Sequence, residues 1–203
     1  MIVRNAIFVA TLLALAAPAL AQPSVIRRVQ EHLRGVSTLT ADFVQTDRSG
    51  KALPGRLTLK QPGKVRFQYG QGVPILIVGD GRALTFVDYQ VKQVSRWPII
   101  GSPLEIILNP KRDLSRIAKV VPSAVPGVLT ILARDPARPQ FGSITLAFTQ
   151  SPGAPGGLML EGWVALDAQN NRTTVRLTNQ RLNIAVPDAA FSWDDPRQKK
   201  SRG

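Results

Sequence analysis

From Leu39 onward the chain alternates apolar and polar residues in short runs, and that period of two reads as strands with one dry and one wet face. Leu39, Ala41 and Phe43 alternate with Thr40, Asp42 and Val44 across 39–47, and Arg48-Ser49-Gly50 makes a turn. Leu57 and Leu59 alternate with Arg56, Thr58 and Lys60 across 55–61. Val65, Phe67 and Tyr69 then alternate with Lys64, Arg66 and Gln68. A continuous apolar strand at 74–78 turns at Gly79-Asp80-Gly81, and 84–88 with 91–97 forms a hairpin. Strand patterns resume at 128–134, 142–150, 158–167 and 172–182, with a last piece at 191–193. Ser151 to Gly157 is a Pro- and Gly-rich loop. Short connections favour antiparallel neighbours. The expected fold class is therefore mainly β (α+β): an antiparallel sheet of about eleven strands, curved or rolled into a barrel.

Helical spacing interrupts this pattern in three places. Ser24 to Gly35 reads as a helix capped by Ser24 and ended by Gly35, with Ile26, Val29, Leu33 and Val36 along one stripe. Ser102-Pro103-Leu104-Glu105 has the form of a capping box, followed by Ile106-Ile107-Leu108 and stopped by Asn109-Pro110. Residues 113–120 read as a second helical piece. The helix at 104–108 is too apolar to face water on all sides and too short to be stable alone. It must lean on another apolar surface, and the concave face of the sheet offers one. Leu104, Ile107 and Leu108 are thus the candidate lid, and the dry-face residues Phe43, Leu57, Leu59, Val65, Phe67, Ile77 and Phe86 the candidate lining of a cavity, extended by Phe148 and Trp163.

The N-terminus carries an export signature. Arg4 is followed by an uncharged apolar run from Ala6 to Ala17, then Pro18 and the small-residue site Ala19-Leu20-Ala21. The run is shorter than the roughly 20 residues a bilayer span needs. Residues 1–21 are therefore expected to be a signal peptide cleaved after Ala21, placing a mature protein in the periplasm. Residues 22–196 are expected to form a single domain and 197–203 a basic disordered tail. The absence of cysteine means the fold does without disulfides in a compartment that permits them. With 26 basic against 13 acidic residues the surface is strongly basic. Export argues against nucleic acid as the partner, leaving a solubilising surface or a docking role.

Few residues suit catalysis or metal binding. The only histidine, His32, sits among charged neighbours on the first helix and reads as solvent-facing, with no second His or Cys to share a metal. A cysteine nucleophile is impossible and no G-x-S-x-G motif occurs. Gly79-Asp80-Gly81 and Gly153 to Gly157 lack the Lys and helix of a phosphate loop. A carboxylate pair such as Asp80 with Asp88 remains, but Asp at turns has a plain structural use. The expectation is a non-enzymatic binding protein with no catalytic residue, metal or cofactor, whose apolar surface suits an apolar ligand.

The segments Val36-Ser37-Thr38-Leu39-Thr40-Ala41-Asp42-Phe43-Val44-Gln45-Thr46, Gly55-Arg56-Leu57-Thr58-Leu59-Lys60-Gln61-Pro62-Gly63-Lys64-Val65-Arg66-Phe67 and Ile77-Val78-Gly79-Asp80-Gly81-Arg82-Ala83-Leu84-Thr85-Phe86, in this order, resemble the outer-membrane lipoprotein carrier family, LolA. Ser102-Pro103-Leu104 with Leu108 and Pro110 resembles the family's lid helix, and Val186-Pro187-Asp188-Ala189-Ala190-Phe191 its closing segment. The resemblance implies an unclosed β-barrel with a helical lid over a hydrophobic cavity. It further implies a monomeric carrier that shields lipoprotein acyl chains, receives them from an inner-membrane ABC transporter and delivers them to an outer-membrane acceptor protein or the membrane itself. Where the family has Arg before Pro to fasten the lid, this chain has Gln61, which bonds without charge. Alternative cargoes or roles for the same scaffold are another lipid, such as a glycolipid or sphingolipid, or a lipid-sensing regulatory function.

Overall fold

The computed structural model of the chain describes residues 22–197. The expected signal peptide lies outside the described residues, as does the expected basic tail except Arg197, which pairs with Asp195 at 2.7 Å. Helix α1 (Gln22–Gly35) precedes six strands: β1 (Thr38–Thr46), β2 (Ala52–Lys60), β3 (Lys64–Tyr69), β4 (Ile75–Asp80), β5 (Ala83–Asp88) and β6 (Gln93–Pro98). Helix α2 (Glu105–Leu108) follows, then β7 (Ala118–Val121), β8 (Leu129–Ala133), β9 (Ser143–Gln150), β10 (Leu158–Leu166) and β11 (Arg172–Leu182). All eleven strands form one antiparallel sheet in the order β6-β5-β4-β3-β2-β1-β11-β10-β9-β8-β7. It is a meander folded at its centre, where β1 pairs with both β2 and β11. The sheet does not close: β6 and β7 are its two ends. Residues 99–117 run from one free edge to the other and carry α2, so the segment that follows the last strand of one half covers the face between the halves.

Alternation decides which face is dry. In β1, Leu39, Ala41 and Phe43 are buried; in β2, Leu57 and Leu59; in β3, Val65, Phe67 and Tyr69. These belong to the main core, with Ile26, Val29 and Leu33 of α1 packed on it. Burying each large side chain contributes about 1.5–3 kcal/mol. Phe43 lies opposite Gly55 in the β1–β2 register, and a Cβ at Gly55 would come 2.6 Å from its ring. The missing side chain lets the ring lie across β2.

The structure corrects the sequence reading in four places. Helix α1 begins at Gln22, two residues ahead of the expected Ser24 cap; Pro23 suits a first turn because the N–H it lacks would have no helical partner there. Residues 113–120 are not helical: a turn leads into β7, because Leu114 is fully buried and its N–H donates to Gln30 Oε1 at 3.0 Å, after which β7 pairs with β8. The final segment is not a strand but a turn of 3-10 helix at Asp188–Phe191. It covers the back of the sheet, where Phe191 joins Leu76, Val78 and Val87 in a second apolar cluster. The β4–β5 region is therefore dry on both faces, which explains why 74–78 is continuously apolar. Lys60 and Lys64 reach Asp188 at 2.7 and 3.1 Å, and their hydrogen bonds hold its carboxyl below the usual range.

The fourth correction concerns His32, which is buried rather than solvent-facing, at 3% exposure. Its Nδ1 lies 3.1 Å from the Pro155 carbonyl and its ring meets Phe148 edge-on at 5.3 Å. One helical turn away, Arg28 donates to the carbonyls of Gly156 and Gly157. Together they clasp the β9–β10 loop against α1. Gly156 makes this approach feasible: its φ is +65°, and a Cβ there would meet the Arg28 carbonyl at 2.2 Å. Burial lowers the His32 pKa, so the imidazole is neutral at neutral pH.

Candidate functional site

The concave face of the sheet is occupied by α2. All four residues of this helix, Glu105, Ile106, Ile107 and Leu108, are buried. Beneath it, Leu57, Leu59, Val65, Phe67 and Trp163 face Leu104, Ile107 and Leu108 across a residual void of about 10 Å³. That is room for about one water, so α2 fills the space it covers.

Beside the helix the same interior opens into a cavity of about 240 Å³. Its apolar wall includes Phe67, Ile77, Leu84, Trp97, Leu104 and Trp163. Its polar side is formed by Gln45, Ser102, Asp167, Asn171 and Thr173. The volume falls short of the roughly 300–1,000 Å³ typical of small-molecule sites. A long acyl chain needs the space held by α2 as well.

The predicted site residues divide into groups. Leu57, Leu59, Val65, Phe67 and Trp163 lie under α2, and Ile77 lines the open cavity. Phe43 and Phe148 line neither space. Phe43 is locked edge-on between Phe67 and Tyr69 at 5.4 and 5.3 Å, and Phe148 packs under α1 against His32. Phe86 pairs with Ile77 and so shares its face, but it is half-buried and also lines neither space. Leu84, two residues earlier on that face, is the one that reaches the cavity, opposite Trp97 of β6. Alternation could have found Leu84; nothing in the spacing marked Trp97.

Helix α2 is fastened at several points. Gln61, just after β2, donates from Nε2 to the Ile107 carbonyl at 2.7 Å, and the Gly63 N–H donates to the Leu108 carbonyl at 2.9 Å. At the other end the expected capping box is displaced. The Ser102 hydroxyl caps nothing and has no hydrogen-bond partner among the described residues. The Glu105 carboxylate instead accepts the Gly101 N–H at 2.9 Å. The helix begins only at Glu105, whose N–H donates to the Ser102 carbonyl at 3.1 Å, which leaves the hydroxyl out of reach of the N–H groups that follow. Arg112 bridges Glu105 at 3.8 Å and Asp135 at 2.7 Å, tying the helix to the β8–β9 connection. Gln30 of α1 donates to the Pro110 carbonyl and accepts the Leu114 N–H, holding the segment after α2. The Arg112 bridge joins residues far apart in sequence and left no signature there.

Two further groups define the electrostatics. Tyr69 donates to Gln45 Oε1 at 2.7 Å, and burial pushes its phenol up to about 12. Hydrogen bonds from Asn171 and the turn amides hold the Asp167 carboxyl below the usual range, so it is ionised at neutral pH. Among the described residues no cluster of His, Cys, Asp and Glu could hold a metal, and no helix is long and apolar enough to cross a membrane.

Comparison with known proteins places this geometry in context. Residues 34–194 match the family described as outer membrane lipoprotein carrier protein LolA. An outer-membrane lipoprotein carrier protein of Chromobacterium violaceum is 32% identical over 191 residues, covering 90% of this chain and 88% of the relative. One from Dechloromonas aromatica is 26% identical over 189 residues, covering 88% of each chain. Among solved structures, an uncharacterized conserved protein of Thermus thermophilus matches with a TM-score of 0.50 at 12% identity, covering 88% of this chain and 96% of that one. That likeness concerns the fold alone.

Proposed function

The chain belongs to the family of outer membrane lipoprotein carrier proteins, LolA, and on that premise we propose that it shields the acyl chains of lipoproteins and carries them from the inner to the outer membrane. The observation that carries this reading is α2: a helix buried on all sides, packed on the concave face of an unclosed sheet, beside a cavity walled by aromatic and aliphatic side chains. Such a helix can stand in for an acyl chain and be displaced by one.

The energetics suit a carrier. Burying one CH₂ contributes about 0.8 kcal/mol, so a single acyl chain represents on the order of 10 kcal/mol. A lipoprotein therefore needs a cover to cross water, and the cover must later let go. A helix that refills the emptied cavity provides release, because opening draws on part of the cargo's binding energy. In this reading the protein works by binding and release, with no catalytic step. It is exported after cleavage behind Ala21 and acts in the periplasm as a monomer. An inner-membrane ABC transporter supplies the energy for loading, and an outer-membrane protein or the membrane accepts the cargo.

The test is native mass spectrometry of the mature protein recovered from the periplasm. The expected species is one copy carrying one acylated lipoprotein, together with free protein beginning at Gln22. Recovery only of free protein that also fails to bind a fluorescent acyl probe would refute the carrier reading.

A further inference from the structure

The cavity beside α2 has an asymmetric polar side. The chain carries 26 Lys and Arg against 13 Asp and Glu. Among the described residues no Lys or Arg lines this cavity, and its only charged lining residue is Asp167. The carboxylate is fixed in place: it accepts the N–H groups of Gln169 and Asn171 at 2.9 and 2.8 Å and the Asn171 side-chain amide at 2.8 Å. The other polar groups at the rim are neutral. Gln45 has its Oε1 occupied by Tyr69, which leaves its amide N–H groups as donors. The Ser102 hydroxyl is buried without a partner among the described residues.

We propose that this rim makes the cavity selective for acyl chains carried on uncharged ester- or amide-linked heads over acyl chains carried on anionic phosphate heads, with Asp167 as the residue that sets the discrimination. The proposal rests on the carrier reading of the same cavity and adds the class of cargo to it. Neutral donors at Gln45 and Ser102 match the carbonyl oxygens of esters and amides. A phosphate would meet those donors too, but beside a fixed negative charge and with no cation to offset it. Phosphate-bearing lipids are a membrane's bulk component, so a carrier that disfavours them keeps its cavity for the acylated protein.

The test compares two lipids with the same single chain below their micelle-forming concentrations, monopalmitoyl glycerol and palmitoyl lysophosphatidylglycerol. Binding to the mature protein is read from tryptophan fluorescence, because Trp97 and Trp163 line the cavity. The expected preference for the glyceride is about fivefold, the order that one like charge gives at a half-exposed rim. It should shrink at about 1 M salt, where the screening length is only about 3 Å. Asp167→Asn keeps an oxygen for the turn amides and removes the charge, so the two lipids should bind alike. Asn171→Lys sets a cation beside the Asp167 carboxylate without touching the apolar wall and should likewise bring the two lipids to equal binding. Equal binding of both lipids by the wild type, or an unchanged ratio in both variants, overturns the selectivity and leaves the carrier reading standing. Binding of neither lipid overturns both.

Discussion

The lid latch can be tuned at Gln61. Its Nε2 meets the Ile107 carbonyl at 2.7 Å while its Oε1 accepts the Gly63 N–H at 3.3 Å, so one half-buried side chain ties the end of β2 to α2. A hydrogen bond of this kind contributes about 1 kcal/mol net. If cargo binds only the open form, apparent affinity scales with the open fraction, and about 1 kcal/mol changes that fraction by about fivefold. Gln61→Ala should therefore tighten binding of a fluorescent acyl probe by about fivefold. Gln61→Arg supplies a charge-assisted donor of roughly twice the strength and should weaken binding by a similar factor. Stability should move the opposite way, with the Ala variant melting lower and the Arg variant higher. Equilibrium titration of the three proteins with one probe, alongside thermal melts, tests the chain of reasoning. If all three bind alike, α2 is a fixed part of the core and Gln61 does not govern access.

Ile107→Ala should lower stability by about 2–4 kcal/mol, as truncation of a buried Ile does, yet tighten acyl-probe binding, because the lost contacts belong to the closed form. Denaturant melts and probe titration check the two signs together, and loss of both stability and affinity would contradict a lid. Arg112→Ala leaves Glu105 and Asp135 without their shared partner; it should cost about 1–2 kcal/mol and speed hydrogen exchange across 101–112. His32 gives the protein a pH dependence of known sign. Its folded pKa lies below 6.5 because of burial, so the unfolded chain binds the proton first as pH falls. Its contribution to stability is present above 6.5 and is lost as the pH falls through the folded value. The melting temperature should drop as the pH falls below 6.5 in the wild type and drop less in His32→Gln; identical profiles would contradict burial of a neutral imidazole.

How much of this was legible in the sequence depended on which residues carry local signals. Alternation at Leu57, Leu59, Val65 and Phe67 is a property of each strand alone, and it placed these side chains on the concave face. The short apolar helix announced itself through Pro103, its uninterrupted Ile106-Ile107-Leu108 and the stop at Asn109-Pro110. Alternation cannot say how far along the sheet a residue lies from the cavity. Phe43, Phe86 and Phe148 therefore looked equivalent to Phe67, although one is locked among aromatics, one is half-buried away from the cavity and one is under α1. His32 was misplaced because its cover comes from residues 155–157, far along the chain. The 113–120 segment was misread because a buried Leu114 and a strand partner at β8, both tertiary effects, outweighed local helical spacing. The Arg112 bridge and the strap at Asp188–Phe191 depend on the same long-range contacts.

In a carrier of this kind α2 yields its place to an acyl chain. Hydrogen exchange measures this directly. In the free protein the N–H groups of Ile107, Leu108 and Asn109 are bonded to the carbonyls of Leu104 and Glu105, and Ile107 and Leu108 are buried with the helix. Slow exchange is expected there without cargo, and a clear gain in exchange across 104–109 when an acylated peptide is bound, while β1 and β2 stay protected. Saturating cargo that leaves α2 as protected as before would contradict displacement of the helix.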